Sequence, residues 1–156
     1  MFKFYKRTDD GLLYHEAWAN GIVVVEHWGR CGERGEVKEH STESADHVAR
    51  VLGSIANEAL QSGFKPIPEK RMKMLIVEYP IEQATPEALQ RRHQLEDEFN
   101  QLIGWLGLGH LDGGSIGSGT MEVALAVVDF EIAKVALEKA TAGTALAGFT
   151  RIYKMS

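Results

Sequence analysis

The sequence is poor in cysteine and in long apolar runs, and each scarcity excludes a class of protein. The 156-residue chain holds a single cysteine, Cys31, which excludes a disulfide framework and a cysteine-based zinc site within one chain. A lone thiol is typical of a reducing compartment, so we expect a cytoplasmic protein. No apolar run reaches the roughly 18 residues that a membrane span needs, and the N-terminal segment lacks the apolar core of a signal peptide. We therefore expect no membrane partner.

A basic excess is also missing. The formal net charge is -5; residues 1–71 hold 10 Lys and Arg against 11 Asp and Glu, and residues 72–156 hold 7 against 11. Because counterion release drives affinity for nucleic acid, its binders usually carry a basic footprint. The balance argues against strong, non-specific DNA binding. A local basic patch is still available from five residues of the first half, which are Lys3, Lys6, Arg7, Arg30 and Arg34.

The most informative stretch that is present runs from Trp28 to Gly35, with the sequence Trp-Gly-Arg-Cys-Gly-Glu-Arg-Gly. It follows the apolar run 22–25, so a strand is expected to carry an indole and a guanidinium to its end and then turn on glycines. Such a surface can stack on a nucleotide beside a fixed cation. The same residues can also pack a hairpin, and the pattern leaves both interpretations open.

The first half predicts an antiparallel sheet covered by one long helix. Strands are expected over 3–7, 12–19, 22–28 and 36–40, with Asn20-Gly21 as a hairpin turn. Ser41 or Thr42 is expected to open the helix, whose apolar residues recur at three and four positions, and Gly63 to end it. Two prolines in the segment 65–71 indicate a linker.

The second half predicts the order β-α-β-β-α-β, which is that of a ferredoxin-like domain. Strands are expected over 74–79, 107–111, 121–128 and 147–153, and helices over 85–104 and 130–140. Asp112-Gly113-Gly114 is expected to form a turn or a bulge. The predicted fold class is α+β, with a first domain over 1–66, a linker over 67–72 and a second domain over 73–156.

The first half resembles the WGR domain over about residues 2–67. The resemblance rests on the N-terminal Phe-x-Tyr strand, the core Trp28-Gly29-Arg30-x-Gly32-x-x-Gly35, the start of the helix and Gly63-Phe64 near its end. WGR domains occur in DNA-dependent poly(ADP-ribose) polymerases, where they bind DNA near strand breaks, and in bacterial proteins.

The resemblance implies that Trp28 stacks on a terminal nucleotide and that Arg30 contacts phosphate or a neighbouring domain. We include Tyr5, Lys6 and Arg34 of the same module among the candidate ligand- or partner-binding residues. Two departures limit what is carried over. Arg50 is the only Lys or Arg in the helix segment 45–62, and no transferase domain is expected from the sequence, so the resemblance does not imply polymerase activity.

The second half contains seven glycines between Gly104 and Gly119 but no phosphate-loop spacing. A surface for a protein partner is the favoured functional use of this stretch, and His110 and Asp112 join the candidate partner-binding residues. With Glu122 they could hold a metal if their strands pair, but exposed loop and strand positions are favoured, so no metal or cofactor is predicted. Four histidines of the first half are expected at the surface or a sheet edge: His15, His27, His40 and His47.

Two functions follow from these patterns. The first is a non-enzymatic binding protein whose WGR-like module binds nucleic acid, at ends or breaks, or a protein partner. The alternative is an immunity protein that neutralises a bacterial toxin by direct binding. The second half resembles small bacterial domains, some of which are suspected of this function. An acidic inhibitor would gain association rate against a basic enzyme by electrostatic steering. No catalytic constellation is recognised, so an enzyme is not predicted.

Overall fold

A computed structural model describes residues 1–117 and 119–156 of the chain. These residues form two four-stranded antiparallel sheets and three α-helices, which confirms the α+β class. The chain divides into two units, Met1–Pro68 and Glu69–Ser156. In the described part of the chain, no helix is both long and apolar enough to cross a membrane.

The first unit is a meander of four strands in the order β1-β2-β3-β4. The strands are β1 (Phe2–Thr8), β2 (Gly11–Asn20), β3 (Val23–Arg30) and β4 (Glu36–Ser41). The predicted Asn20-Gly21 hairpin is confirmed, since β2 ends at Asn20 and Gly21 takes a φ of 63°. Consecutive strands pair antiparallel throughout, so the register follows directly from the turns.

Helix α1 (Ala45–Gln61) covers one face of this sheet. Its apolar side meets the strands in a core cluster formed by Ala17, Val24, Val48 and Ile55. The predicted cap at Ser41 or Thr42 is wrong, because Ser44 caps the helix by accepting a hydrogen bond from the His47 amide. Thr42 is instead buried, and its amide and hydroxyl both donate to the Ile22 carbonyl.

The chain returns to the sheet directly after α1. Gly63 takes a φ of 96°, as expected of the glycine that ends a helix. Lys65 then pairs with Tyr5 on the outer edge of β1, through two backbone hydrogen bonds of 2.8 Å. This pairing fixes Phe64 beside the sheet face that α1 occupies.

The second unit has a sheet in the order β6-β7-β5-β8. Its strands are β5 (Lys73–Pro80), β6 (Gly109–Ile116), β7 (Thr120–Val127) and β8 (Arg151–Lys154); its helices are α2 (Pro86–Trp105) and α3 (Phe130–Thr141). Thr85 and Asp129 cap the two helices, and α2 contacts β6 and β7 while α3 contacts β5. The largest fully buried side chains of this unit include Tyr79, Phe99, Ile103, Leu125 and Leu137.

Two predicted strands of this unit differ from the structure by more than one residue at an end. The strand expected over 107–111 runs from Gly109 to Ile116, with a bulge between Leu111 and Gly113 where the sequence predicted a turn or bulge. The bulge frees the Leu111 amide, which donates instead to Asn100 Oδ1 on α2 at 2.9 Å. The last strand was expected over 147–153 and runs from Arg151 to Lys154; before it, the buried Tyr79 hydroxyl donates to the Leu146 carbonyl. Ser118, within the glycine-rich stretch, lies outside the described residues.

Candidate functional site

The candidate site lies on the face of the first sheet that α1 covers only in part. Residues alternate between faces along a strand, and the register pairs Ala17 with Glu26 and His15 with Trp28. His15 and Trp28 therefore share the face of Ala17, which packs under α1. They lie further along the strands, and Arg30 follows on the same face at the end of β3. The helix thus leaves an aromatic and cationic stretch of the face accessible.

A groove of about 590 Å³ occupies this stretch. We name it the Trp28 groove; its lining residues are Leu13, Tyr14, His15, Trp28, Gly29, Arg30, Glu33 and Phe64. The His15 ring is its centre, 6.0 Å from the Trp28 ring and 5.5 Å from the Phe64 ring, which it meets edge-on. The rings form a cluster rather than one plane, since His15 is tilted by 37° against Trp28, and a ligand ring can stack on one of them at a time.

Two cations flank the Trp28 groove. Arg30 is exposed at its rim. Lys6, on the neighbouring strand β1, places its ammonium 5.9 Å from the centre of the Phe64 ring and donates to the Ser62 carbonyl at 2.7 Å. Of the two, only Arg30 lines the groove, where the Glu33 carboxylate is also present, so an anionic group beside the rings would meet the Arg30 guanidinium first.

The glycines of the Trp28–Gly35 stretch explain how the groove is built. Gly32 and Gly35 take φ values of 97° and 67°, which other residues rarely adopt. A Cβ on Gly29 would lie 2.7 Å from the Gly35 Cα, and a Cβ on Gly35 would collide with the Trp28 carbonyl oxygen. The turn thus folds flat against the end of β3, and only glycine permits the approach.

A carboxylate shared by two histidines lies next to the groove. Glu26 accepts from His15 Nε2 at 2.7 Å and from His40 Nε2 at 2.8 Å, so one carboxylate links strands β2, β3 and β4. Burial alone would raise the pKa of Glu26, but the hydrogen bonds from His40 and His15 outweigh it and hold this pKa below its ordinary value. The arrangement also fixes the His15 ring that the groove depends on.

The structure brings some of the predicted site residues together and separates others. Trp28 and Arg30 line the groove, and Lys6 is not a lining residue but lies 5.9 Å from the Phe64 ring. Arg34 is exposed in the turn and is not one of the lining residues, although its carbonyl accepts from His27. Tyr5 is 7% exposed and lies on the opposite face, where it pairs across the strands with Tyr14.

The other two predicted site residues belong to the second unit. His110 is exposed on β6 and pairs with Glu69 at 2.8 Å, and Asp112 is the exposed residue at the bulge. Glu122, the third residue of the possible metal set, accepts instead from the Tyr153 hydroxyl at 3.0 Å. Among the described residues, no three histidines, cysteines or acids form a group that could hold a metal.

One sequence-based expectation about the histidines is wrong. His27 was expected at the surface or a sheet edge, but it is fully buried on the inner strand β3. Its side chain is hydrogen bonded at both ring nitrogens, to Glu16 and to the Arg34 carbonyl, and this pairing is what permits its burial.

The chain matches no protein-family model, no curated protein and no solved structure. Sequence reasoning missed His15, Leu13 and Phe64 as groove residues. The strand register could have identified His15 and Leu13, because they pair with Trp28 and Arg30, but Phe64 arrives only through the return of the chain after α1.

Proposed function

We propose that this protein is a non-enzymatic binding protein whose first unit holds a terminal or single-stranded segment of nucleic acid in the Trp28 groove. In this proposal a base or sugar stacks on Trp28, with His15 and Phe64 packed beside it, and a neighbouring phosphate is held by Arg30. In this proposal the first unit is used as the resemblance to WGR domains implies. The protein-partner and toxin-inhibitor readings are the outcomes that compete with it.

The observation that carries the proposal is the coincidence of rings and cations in one groove. Base–aromatic stacking contributes about 1–3 kcal/mol per base and tolerates any base, because every base has a π-face. An apolar protein side chain would use the rings but not the flanking Arg30 and Lys6. A nucleotide uses both, since it presents a flat ring a short distance from a phosphate.

We propose binding rather than catalysis because of the side chains that line the groove. The lining residues that the structure describes include no serine, threonine, cysteine or lysine that could act as a nucleophile. Two lining residues could act as a base: His15 is engaged by the Glu26 carboxylate within the ring cluster, and Glu33 is exposed in the turn. Binding, rather than bond cleavage, is the chemistry that this set supports.

The strand order of the second unit supports a ferredoxin-like fold, which we propose for residues 73–156. The order β6-β7-β5-β8, with every neighbour antiparallel and the helices following β5 and β7, is what a split β-α-β pair produces. Folds of this kind serve many functions, so the proposal assigns no separate activity to this unit.

The proposed function is tested by fluorescence anisotropy at low salt. Labelled single strands, blunt duplexes and duplexes with a single-strand break are titrated with the full chain. Binding is expected to be strongest for ligands with an unpaired terminal nucleotide, and Trp28→Ala and Arg30→Ala are each expected to weaken it about tenfold or more. The matched controls are Trp105→Ala in the second unit and Arg50→Ala on α1, which should leave affinity unchanged.

Two results would contradict the proposal. Absence of binding to every oligonucleotide at low salt would exclude the nucleic-acid ligand and favour a protein partner for the same groove. Equal binding by wild type and Trp28→Ala would show that nucleic acid binds elsewhere on the protein.

A further inference from the structure

The turn that follows Trp28 and Arg30 is held from beneath by two buried side chains. The Tyr14 hydroxyl donates to the Glu33 carbonyl at 2.8 Å, and His27 Nε2 lies 2.5 Å from the Arg34 carbonyl. Tyr14 and His27 also contact each other, with the hydroxyl 3.0 Å from Nε2. Both side chains are fully buried, so solvent does not replace these bonds while the turn is in place.

The hydrogen bond to the Arg34 carbonyl determines whether His27 Nε2 carries a hydrogen. A carbonyl oxygen can only accept, so Nε2 must carry a hydrogen. The other ring nitrogen, Nδ1, lies 3.0 Å from Glu16 Oε2, and Glu16 is itself 5% exposed, with the Lys3 ammonium 4.0 Å from the same oxygen. Whether the shared proton sits on Nδ1 or on the carboxyl, Glu16 fixes the ring so that Nε2–H points at the turn.

The Tyr14 hydroxyl lies directly below the Trp28-Gly29-Arg30 backbone. It is 3.2 Å from the position that a Cβ would take on Gly29 and 2.5 Å from that position on Gly35. Tyr14 thus contacts both glycines at which the turn approaches β3. Any shift of the turn would move Trp28 and Arg30, because their backbone forms the other side of this contact.

We propose that Tyr14 and His27, supported by Glu16, are positioning residues that hold the Cys31–Gly35 turn and thereby set Trp28 and Arg30 for the ligand. The inference rests on the proposed function for the identity of that ligand. A purely structural role would make Tyr14 and His27 matter for stability alone. A positioning role makes them matter for the environment of Trp28 in a protein that is still folded.

The test uses the full chain and the variants Tyr14→Phe and His27→Gln, with two matched controls. Tyr79→Phe removes an equally buried hydroxyl that donates to a carbonyl in the second unit, and His93→Gln changes an exposed histidine on α2. Circular dichroism checks that each variant is folded. Affinity for a short labelled oligothymidylate is expected to fall about tenfold in Tyr14→Phe and His27→Gln and to stay unchanged in the controls.

A ligand-free readout separates this inference from the proposed function. With 5-fluorotryptophan incorporated, the Trp28 fluorine signal, assigned by its loss in Trp28→Phe, should shift in Tyr14→Phe and His27→Gln, while the Trp105 signal should not. An unchanged Trp28 signal and unchanged affinity in folded variants would overturn the inference and leave the proposed function standing. If wild type binds no oligonucleotide, the proposed function fails, and the fluorine signal still decides the positioning role.

The wild-type protein supplies a check that holds even where a variant does not fold. Nitrogen-15 spectra of the histidine rings should show a protected proton on His27 Nε2. An unprotonated Nε2 would remove the bond to the Arg34 carbonyl and overturn the inference.

Discussion

At the scale of single residues, the Trp28–Gly35 stretch works through its glycines as much as through its aromatic and basic side chains. Gly29 and Gly35 allow two backbone segments to approach to a distance that any side chain would prevent. Trp28 and Arg30 are displayed only because the backbone after them folds away. The same stretch therefore serves both as a hairpin and as a surface, and the two interpretations that the sequence left open are compatible.

A substitution at Gly35 tests this directly. Gly35→Ala places a Cβ against the Trp28 carbonyl and within 2.5 Å of the Tyr14 hydroxyl, at a φ of 67°. We expect it to lower the free energy of unfolding by about 2 kcal/mol or more, measured by urea denaturation. Gly53→Ala is the control, since Gly53 lies inside α1 with open space at its Cβ. It should stabilise the protein by about 0.5–1 kcal/mol. Equal effects at the two sites would contradict the close approach.

The Glu26 carboxylate gives a pH dependence whose sign can be worked out. Its pKa is lowered in the folded protein, so it contributes stability above its unfolded pKa and loses that contribution as the pH falls through the folded value. Urea denaturation from neutral to acidic pH should therefore show a shallower loss of stability in Glu26→Gln than in wild type. Glu39→Gln, on the exposed strand β4, is the control and should follow the wild-type profile. A steeper acid loss in Glu26→Gln would show that the sign is wrong.

At the scale of elements, the start of α1 shows why one of several adjacent polar residues caps the helix. Three residues here are good N-caps by residue type: Ser41, Thr42 and Ser44. However, Ser41 is the last residue of β4, and Thr42 is hydrogen bonded to the Ile22 carbonyl. Ser44→Ala is expected to cost about 1 kcal/mol of unfolding free energy, and Ser41→Ala close to none. Thermal or urea unfolding of both variants measures this. A larger loss at Ser41 would place the cap where the sequence predicted it.

Features that depend on neighbouring residues can be predicted from the sequence, whereas features that depend on residues distant in the chain cannot. The hairpin at Asn20-Gly21 and the starts of α2 and α3 depend on neighbouring residues, and the sequence places them to within one residue. The cap at Ser44 could not be chosen from the sequence, because it is decided by the pairing of Thr42 with a residue twenty positions away. Phe64 joins the groove, and His27 is buried, for the same reason. Their partners are brought close only by the assembled sheet.

At the scale of the whole molecule, charge limits what the Trp28 groove can bind and how strongly. The chain carries a net charge of -5, and its first half is close to neutral, so the potential around the groove comes from a few local cations rather than from a basic surface. Arg30 lines the groove together with the acidic Glu33, and Lys6 lies beside it, 5.9 Å from the Phe64 ring. Stacking must then supply much of the affinity, and salt should weaken binding only modestly.

The salt dependence of oligothymidylate binding measures how many phosphate contacts the groove makes. Each phosphate contact on a single strand contributes about -0.7 to the slope of log affinity against log salt, so two contacts predict a slope of about -1.4. Arg30→Ala should make the slope shallower by about 0.7, and Arg50→Ala should not change it. Anisotropy titrations over a range of salt concentrations provide the measurement. A slope several times steeper would require a phosphate track beyond the groove, and a slope near zero would mean that the rings bind without the cations.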